Sequence, residues 1–227
     1  MAVDRSTVCF DLDHTLCRHR RTADEVLGEA FERAGVDRYC HAADLRAVIE
    51  DVPSVETDRE FYEYSLRAAA EHVGTTPTAA GAVAAAYDSI IDHADVEFLP
   101  GARAALEAAR ASHRVALVTN GSPTTQRRKL EALGITDAFD VCVFGEPSVG
   151  FKPEPGPFEQ ALTRLGASPE EALHVGDSLY ADVGGATGVG MDVAWVQPPT
   201  GMTPERFDGR FEPTYSLESL TELEDLL

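Results

Sequence analysis

Four short apolar runs limit what this 227-residue chain can fold into: Val8-Cys9-Phe10, Val115-Ala116-Leu117-Val118, Val141-Cys142-Val143-Phe144 and Ala172-Leu173-His174-Val175. Each has the brevity and continuity of a strand buried inside a parallel sheet. Helical patterns run from Ala102 to Ala111, Thr124 to Leu133 and Pro157 to Leu165, one before each of the last three runs. Gly134 and Gly166 stand where helix C-caps belong. Strand alternating with helix is the pattern of an α/β domain whose parallel sheet is wrapped by helices. Asp192 to Val196 is expected to add a fifth strand, and Thr214 to Ser216 a short edge strand before a final helix.

The stretch from Cys17 to Phe98 differs in character. It is rich in Ala, Glu, Arg and Asp, with helical spacing at Val26, Ala30, Phe31 and Ala34 and again at Phe61, Tyr64, Ser65 and Leu66. The alanine-rich patch from Ala79 to Ala86 also suits a helix. Residues 17–98 therefore read as an all-helical insertion into a core made of residues 1–16 and 99–227, with Leu99-Pro100-Gly101 as the turn back into that core. A separate helical binding domain is the weaker reading, because both ends of the insertion return to one α/β unit.

Thirty-nine acidic residues against nineteen cations give a formal net charge of -20, and only Lys129 and Lys152 among the cations are lysines. A chain this acidic repels nucleic-acid backbones, whose binding rests on cationic neutralisation, so nucleic acid is excluded as the main ligand. Dispersed acidity with almost no lysine is expected of a protein working in molar salt, where the Debye length shrinks to about 3 Å. An acidic enzyme from a GC-rich genome would share that composition. No stretch approaches the roughly 18 unbroken apolar residues that cross a bilayer, and no basic segment leads into an apolar one at the N-terminus. A soluble, cytoplasmic protein without a membrane partner is expected. Cys9, Cys17, Cys40 and Cys142 are too scattered for a zinc site or a disulfide framework, and none of the seven histidines is assigned as a metal ligand.

The chemistry lies at the carboxyl ends of the apolar runs, the edge where open α/β sheets bind ligands. Asp11 and Asp13 follow the first run, offering a nucleophile and a proton carrier on one strand tip. This opening, Asp11-Leu12-Asp13-His14-Thr15-Leu16, resembles the first motif of the haloacid dehalogenase (HAD) superfamily. Thr119-Asn120-Gly121, Lys152-Pro153 and Gly176-Asp177-Ser178-Leu179-Tyr180-Ala181-Asp182 are similar to its later motifs, in the same order. The resemblance implies a Rossmann-like core with an inserted helical cap, as in the subgroup that includes phosphoglycolate phosphatases and some nucleotidases. It also implies the roles. Asp11 would be the nucleophile and Asp13 the general acid and base, with Thr119, Asn120, Gly121 and Lys152 holding the phosphoryl group. Mg²⁺ would be the cofactor, bound by Asp11, the Asp13 carbonyl and Asp177, with Asp182 acting through water or by orienting Lys152. His14 stands where the family often has glycine and is given no role.

Asp13 argues against the 2-haloacid dehalogenase branch, which lacks this second aspartate. The absence of lysine between Cys17 and Phe98 argues against the phosphonatase branch. The expected activity is Mg²⁺-dependent hydrolysis of a small phosphorylated metabolite through an aspartyl-phosphate. A phosphomutase of the β-phosphoglucomutase type would share every core residue, and a catalytically silent HAD-fold binding protein is the third reading. Arg18, His19, Arg20 and Arg21 would attract an anionic substrate or else pair with nearby acids. Neither the substrate nor the oligomeric state is legible in the sequence.

Overall fold

The computed structural model describes residues 5–53, 55–198 and 211–227. The chain gathers into two compact units, one built on the residues up to Arg18 and from Val96 onward, the other on His19–Asp95.

The first unit is the α/β domain. Its strands are β1 (Thr7–Phe10), β2 (Cys17–His19), β3 (Val96–Phe98), β4 (Arg114–Thr119), β5 (Val141–Phe144), β6 (Ala172–Gly176), β7 (Asp192–Val196) and β8 (Tyr215–Leu217). Six of them form one sheet in the order β5-β4-β1-β6-β7-β8, every pairing parallel. The expected strands are all present, the edge strand displaced by one residue to Tyr215–Leu217. The expected final helix is 3-10 rather than α, spanning Leu220–Leu226. β2 and β3 pair as a separate two-stranded ribbon. The stretch read as all-helical therefore begins and ends in strand; three residues at each end are too few to register as a period in the sequence.

Side-chain alternation along the strands feeds two cores. Val8, Phe10, Val115, Leu117, Leu173 and Val175 point to the face covered by α5 (Ala102–Ser112) and α6 (Pro123–Leu133), where Leu106, Leu130 and Leu133 meet them. Cys9, Ala116, Val118, Val143 and Val193 point to the other, against Phe158, Ala161 and Leu162 of α7 (Pro155–Leu165). Gly134 and Gly166 close α6 and α7 with φ of 68° and 62°, the left-handed cap that glycine adopts most cheaply. Burial pushes the Cys9 thiol up to about 12, as befits a core residue, whereas Cys142 is half-buried.

The second unit contains α1 (Ala23–Ala34), α2 (Ala42–Ala47), α3 (Asp58–His72) and α4 (Ala80–Ile90). Thr22 with Glu25, and Thr57 with Glu60, form capping boxes that start α1 and α3. Leu27, Ala30 and Phe31 pack with Leu66, Ala69, Val83 and Ala84. The buried face of α3 is Ser65, Leu66, Ala69 and Ala70; Tyr64, expected on that face, is 47% exposed. Alanine, not the aromatic residues, marks the inner stripe of this helix.

Candidate active site

β1 occupies the middle of the sheet, and Phe10 stands opposite both Leu117 of β4 and Val175 of β6. β4 and β5 lie to one side and β6 to β8 to the other, so the strand order reverses beside β1. The residues that follow β1, β4 and β6 meet at this switch point, where ligands of open α/β sheets bind. After β1 the chain folds back at once: Leu16 and Cys17 donate their N–H groups to the Leu12 carbonyl. His14 takes a φ of 62° in this turn, a left-handed conformation that any side chain beyond glycine adopts at a cost.

Lys152 is the hub of the site. Its Nζ donates to Asp11 Oδ1 at 2.7 Å and to Asp182 Oδ1 at 2.6 Å, and all three residues are buried. Asp182 Oδ1 also accepts from His174 Nε2 at 2.9 Å, and its Oδ2 accepts from the Ser178 N–H at 3.0 Å. Burial would raise the Asp182 carboxyl, but the Lys152 ammonium and the His174 hydrogen bond hold it well below the usual carboxylate range. Burial lowers the proton affinity of His174, against the opposing pull of Asp182, and its Nε2 is the nitrogen that faces the carboxylate. Gly176 is required beside this cluster, since a Cβ there would lie 2.3 Å from Asp182 Cγ.

Asp11, Asp177 and Asp182 present carboxylate oxygens that all lie within 4.8 Å of one another. Burial pushes the Asp11 carboxyl up to about 7, with the Asp182 charge adding to the effect and Lys152 opposing it. Asp177 is raised well above its ordinary value by desolvation and then by the charges of Asp11 and Asp182. Three acids stand around one ammonium that bonds only two of them, so the cluster suits a further hard cation, and carboxylate oxygens are the ligands Mg²⁺ prefers. The donor set fits unequally. Both Asp182 oxygens are taken, whereas Asp177 accepts one hydrogen bond, from Thr15 Oγ1 at 3.2 Å. Trp195 Nε1 fixes the same loop by donating to the Asp177 carbonyl at 2.7 Å.

The side chain of Asp13 is not part of that cluster. Its two oxygens accept from Lys129 Nζ at 2.7 Å each, and Oδ2 also accepts from Gln126 Nε2 at 2.8 Å. Desolvation would raise this carboxyl, but Lys129, its hydrogen bond and that of Gln126 lower it to about 2. Gln126 Nε2 donates as well to Thr119 Oγ1 at 2.8 Å. The Asn120 carboxamide is committed to the main chain of Lys152, donating to its carbonyl at 2.8 Å and accepting from its N–H at 2.6 Å. The Asn120 side chain is thus spent within the protein. Gly121 leaves room for Gln126, whose Nε2 would sit 2.1 Å from a Cβ at this position.

Sequence reasoning missed Gln126, Lys129 and His174. Lys129 carried one signal, as one of two lysines in a chain that otherwise uses arginine. Arg18, Arg20 and Arg21 are paired with Glu97, Asp95 and Glu29, which favours the reading of this run as ion pairs among acids.

A family model described as haloacid dehalogenase-like hydrolase matches residues 6–190. The ribulose-1,5-bisphosphate 5-phosphatase of Halopiger xanaduensis is 31% identical over 98% of this chain and 99% of its own. The glyceraldehyde 3-phosphate phosphatase of Pyrococcus abyssi is 31% identical over 83% of this chain and 79% of its own. Among solved structures, the magnesium-bound HAD-hydrolase YfnB of Bacillus subtilis superposes with a TM-score of 0.76 over 98% of both chains at 23% identity, a likeness of fold.

Proposed function

Because the chain belongs to the haloacid dehalogenase-like hydrolases, we propose that it is a Mg²⁺-dependent phosphatase that hydrolyses a small phosphomonoester through an aspartyl-phosphate on Asp11. The observation that carries this reading is the Lys152 ammonium shared between Asp11 and Asp182 beside Asp177. A lone structural ion pair needs one acid; here two acids share the buried lysine and a third lies beside them, an excess of negative charge that calls for a further cation.

Lys152 holds Asp11 by Oδ1, leaving Oδ2 to attack phosphorus while the bond to the leaving oxygen breaks. Asp13 gives that oxygen its proton. It then takes one from the water that hydrolyses the aspartyl-phosphate, returning Asp11 to its carboxylate form. Asp13 rests ionised, so it takes a proton from solvent as the phosphoryl dianion arrives, a like charge that raises its proton affinity. Thr119 Oγ1 accepts from Gln126 and keeps its own proton to donate to a phosphoryl oxygen. Asp11 and Asp177 would hold Mg²⁺ directly, with Asp182 orienting Lys152. The ion, when bound, neutralises charge on the transferring phosphoryl group.

The helical unit serves in this reading as the cap that selects the substrate, and the acidic, lysine-poor composition as an adaptation to molar salt in the cytoplasm. The phosphomutase alternative uses the same core residues and differs in retaining the phosphoryl group, so release of inorganic phosphate separates the two. Phosphate release in molar KCl from ribulose bisphosphate, glyceraldehyde 3-phosphate, phosphoserine, phosphoglycolate and nucleoside monophosphates, with and without Mg²⁺, tests the proposal.

Two further results are expected. Asp177→Asn shifts the Mg²⁺ activation curve to higher concentration by about 10-fold or more, the scale on which weakened ligation shows; an unchanged curve removes Asp177 from the ligand set. The second concerns pH. Asp11 titrates higher folded than its ordinary 3.8, near 7, and Asp177 is raised too. A carboxyl raised on folding is favoured in its protonated form, so it costs stability as pH climbs from its unfolded value through its folded one. Asp11 and Asp177 would have to give up those protons to hold Mg²⁺. Its stabilisation of the fold, read as a shift in Tm, is therefore larger at about pH 8 than at about pH 5. Equal shifts at both would contradict the assignment.

A further inference from the structure

Both lysines of this chain are buried at the same edge of the sheet, each on one of the two aspartates that follow β1: Lys152 on Asp11 and Lys129 on Asp13. Everywhere else the sequence uses arginine. A compact ammonium fits where a planar guanidinium does not, so both sites are read as places where a point charge of small size is needed.

Lys129 is only 5% exposed, and among the described residues Asp13 is the acceptor of its ammonium hydrogen bonds. Burying an ammonium costs solvation that one ion pair seldom returns in full, and the Asp13 side chain is itself 32% exposed. Fold stability is thus a weak reason for the pair. Gln126 lies three residues earlier on α6, on the same buried face. It spends its two donor hydrogens on Asp13 Oδ2 and Thr119 Oγ1, and its buried Oε1 has no partner among the described residues. The opposite amide orientation would set an oxygen against the Asp13 carboxylate, so the unpartnered atom is retained for the sake of the bridge.

We infer that Lys129 and Gln126 are positioning residues: from α6 they fix the Asp13 carboxylate in place and in register with the Thr119 hydroxyl. This rests on the reading of Asp13 as the group that exchanges protons with the leaving oxygen and the hydrolytic water. In that role a small displacement of the carboxylate costs rate without costing substrate affinity. Both side chains act through Asp13 and Thr119, the groups they contact.

The test compares Lys129→Met and Gln126→Leu, alone and combined with Asp13→Asn, on an alkyl phosphate and on p-nitrophenyl phosphate in the Mg²⁺-loaded protein. An alkoxide needs a proton to leave and p-nitrophenolate does not. Lys129→Met is expected to lower kcat for the alkyl ester by about 10²-fold, with a much smaller loss on the aryl ester and KM nearly unchanged. In the Asp13→Asn background it is expected to add no further loss. Gln126→Leu repeats the pattern more weakly, and it decides the matter if Lys129→Met does not fold. Equal losses on both esters, undiminished losses in the Asp13→Asn background, or wild-type kcat in both variants would each overturn the inference. If instead Asp13→Asn alone leaves alkyl-ester turnover intact, the proton-carrier reading fails, which is a separate result.

Discussion

Lys152→Met is expected to produce the largest loss of stability of any single substitution in the site. The ammonium is buried between Asp11 and Asp182, and burial lowers its proton affinity less than those two carboxylates raise it. Removing it leaves two acids in a poorly solvated position with His174 as the one remaining side-chain donor to Asp182. Breaking a buried pair from one side costs about 3–5 kcal/mol, which for a chain of this size is a Tm lower by roughly 10 °C. The loss should shrink in acid, where Asp11 and Asp182 take up protons and no longer need a counter-charge. Turnover should fall by about 10³-fold, the scale seen when one preorganised donor to the reacting group is removed. A variant with wild-type Tm at neutral pH would show that Lys152 is not what neutralises these acids.

Asp11→Asn is expected to do the opposite: no turnover from a protein at least as stable as the parent. The carboxamide keeps the shape of the side chain and an oxygen for Lys152, and it removes one negative charge from a cluster whose members push one another's carboxyls upward. Metal-free Asp11→Asn should thus melt at or above the wild-type temperature. Catalysis has no such substitute, since an amide oxygen is a poor nucleophile and the covalent step is lost. A drop of at least about 10⁴-fold in kcat is expected, the scale on which single nucleophile replacements act. Comparable phosphate release by the variant would mean that water attacks directly and that Asp11 is only a ligand. The contrast between the two variants, one unstable and one stable, separates the structural role of the lysine from the chemical role of the aspartate.

These expectations draw on residues of differing legibility. Strands buried on both faces write themselves as apolar runs, and all four runs lie in the sheet. Thr119 ends β4, and Asp11, Asp13, Lys152, Asp177 and Asp182 follow β1, β5 and β6 on short connections, so their place in the sequence is nearly their place at the sheet edge. Gln126 and Lys129 are different. They sit on the inner face of α6, among Leu130 and Leu133, and whether that face meets the turn after β1 depends on how the helix is rotated against the sheet, which no local pattern records. His174 is hidden for a similar reason: inside an apolar run it reads as one more core position, and only the loop that brings Asp182 back against β6 gives it a partner. The left-handed φ of His14 explains why glycine suits that position in the family motif, a point the sequence alone leaves as a mere departure. Asn120 shows the limit in the other direction. Its motif position implies a phosphoryl contact through the backbone amide and says nothing of the carboxamide, which is spent on the main chain of Lys152 and holds that lysine in place.

The most direct test of the central claim is inorganic phosphate release by the wild-type protein in molar KCl, measured across the phosphomonoester panel as Mg²⁺ is titrated in, with Asp11→Asn alongside. The account predicts release that requires Mg²⁺, saturates with it, and is absent from the variant. Release that ignores Mg²⁺ or survives in Asp11→Asn, or no release from any ester by a folded, Mg²⁺-stabilised protein, would contradict it.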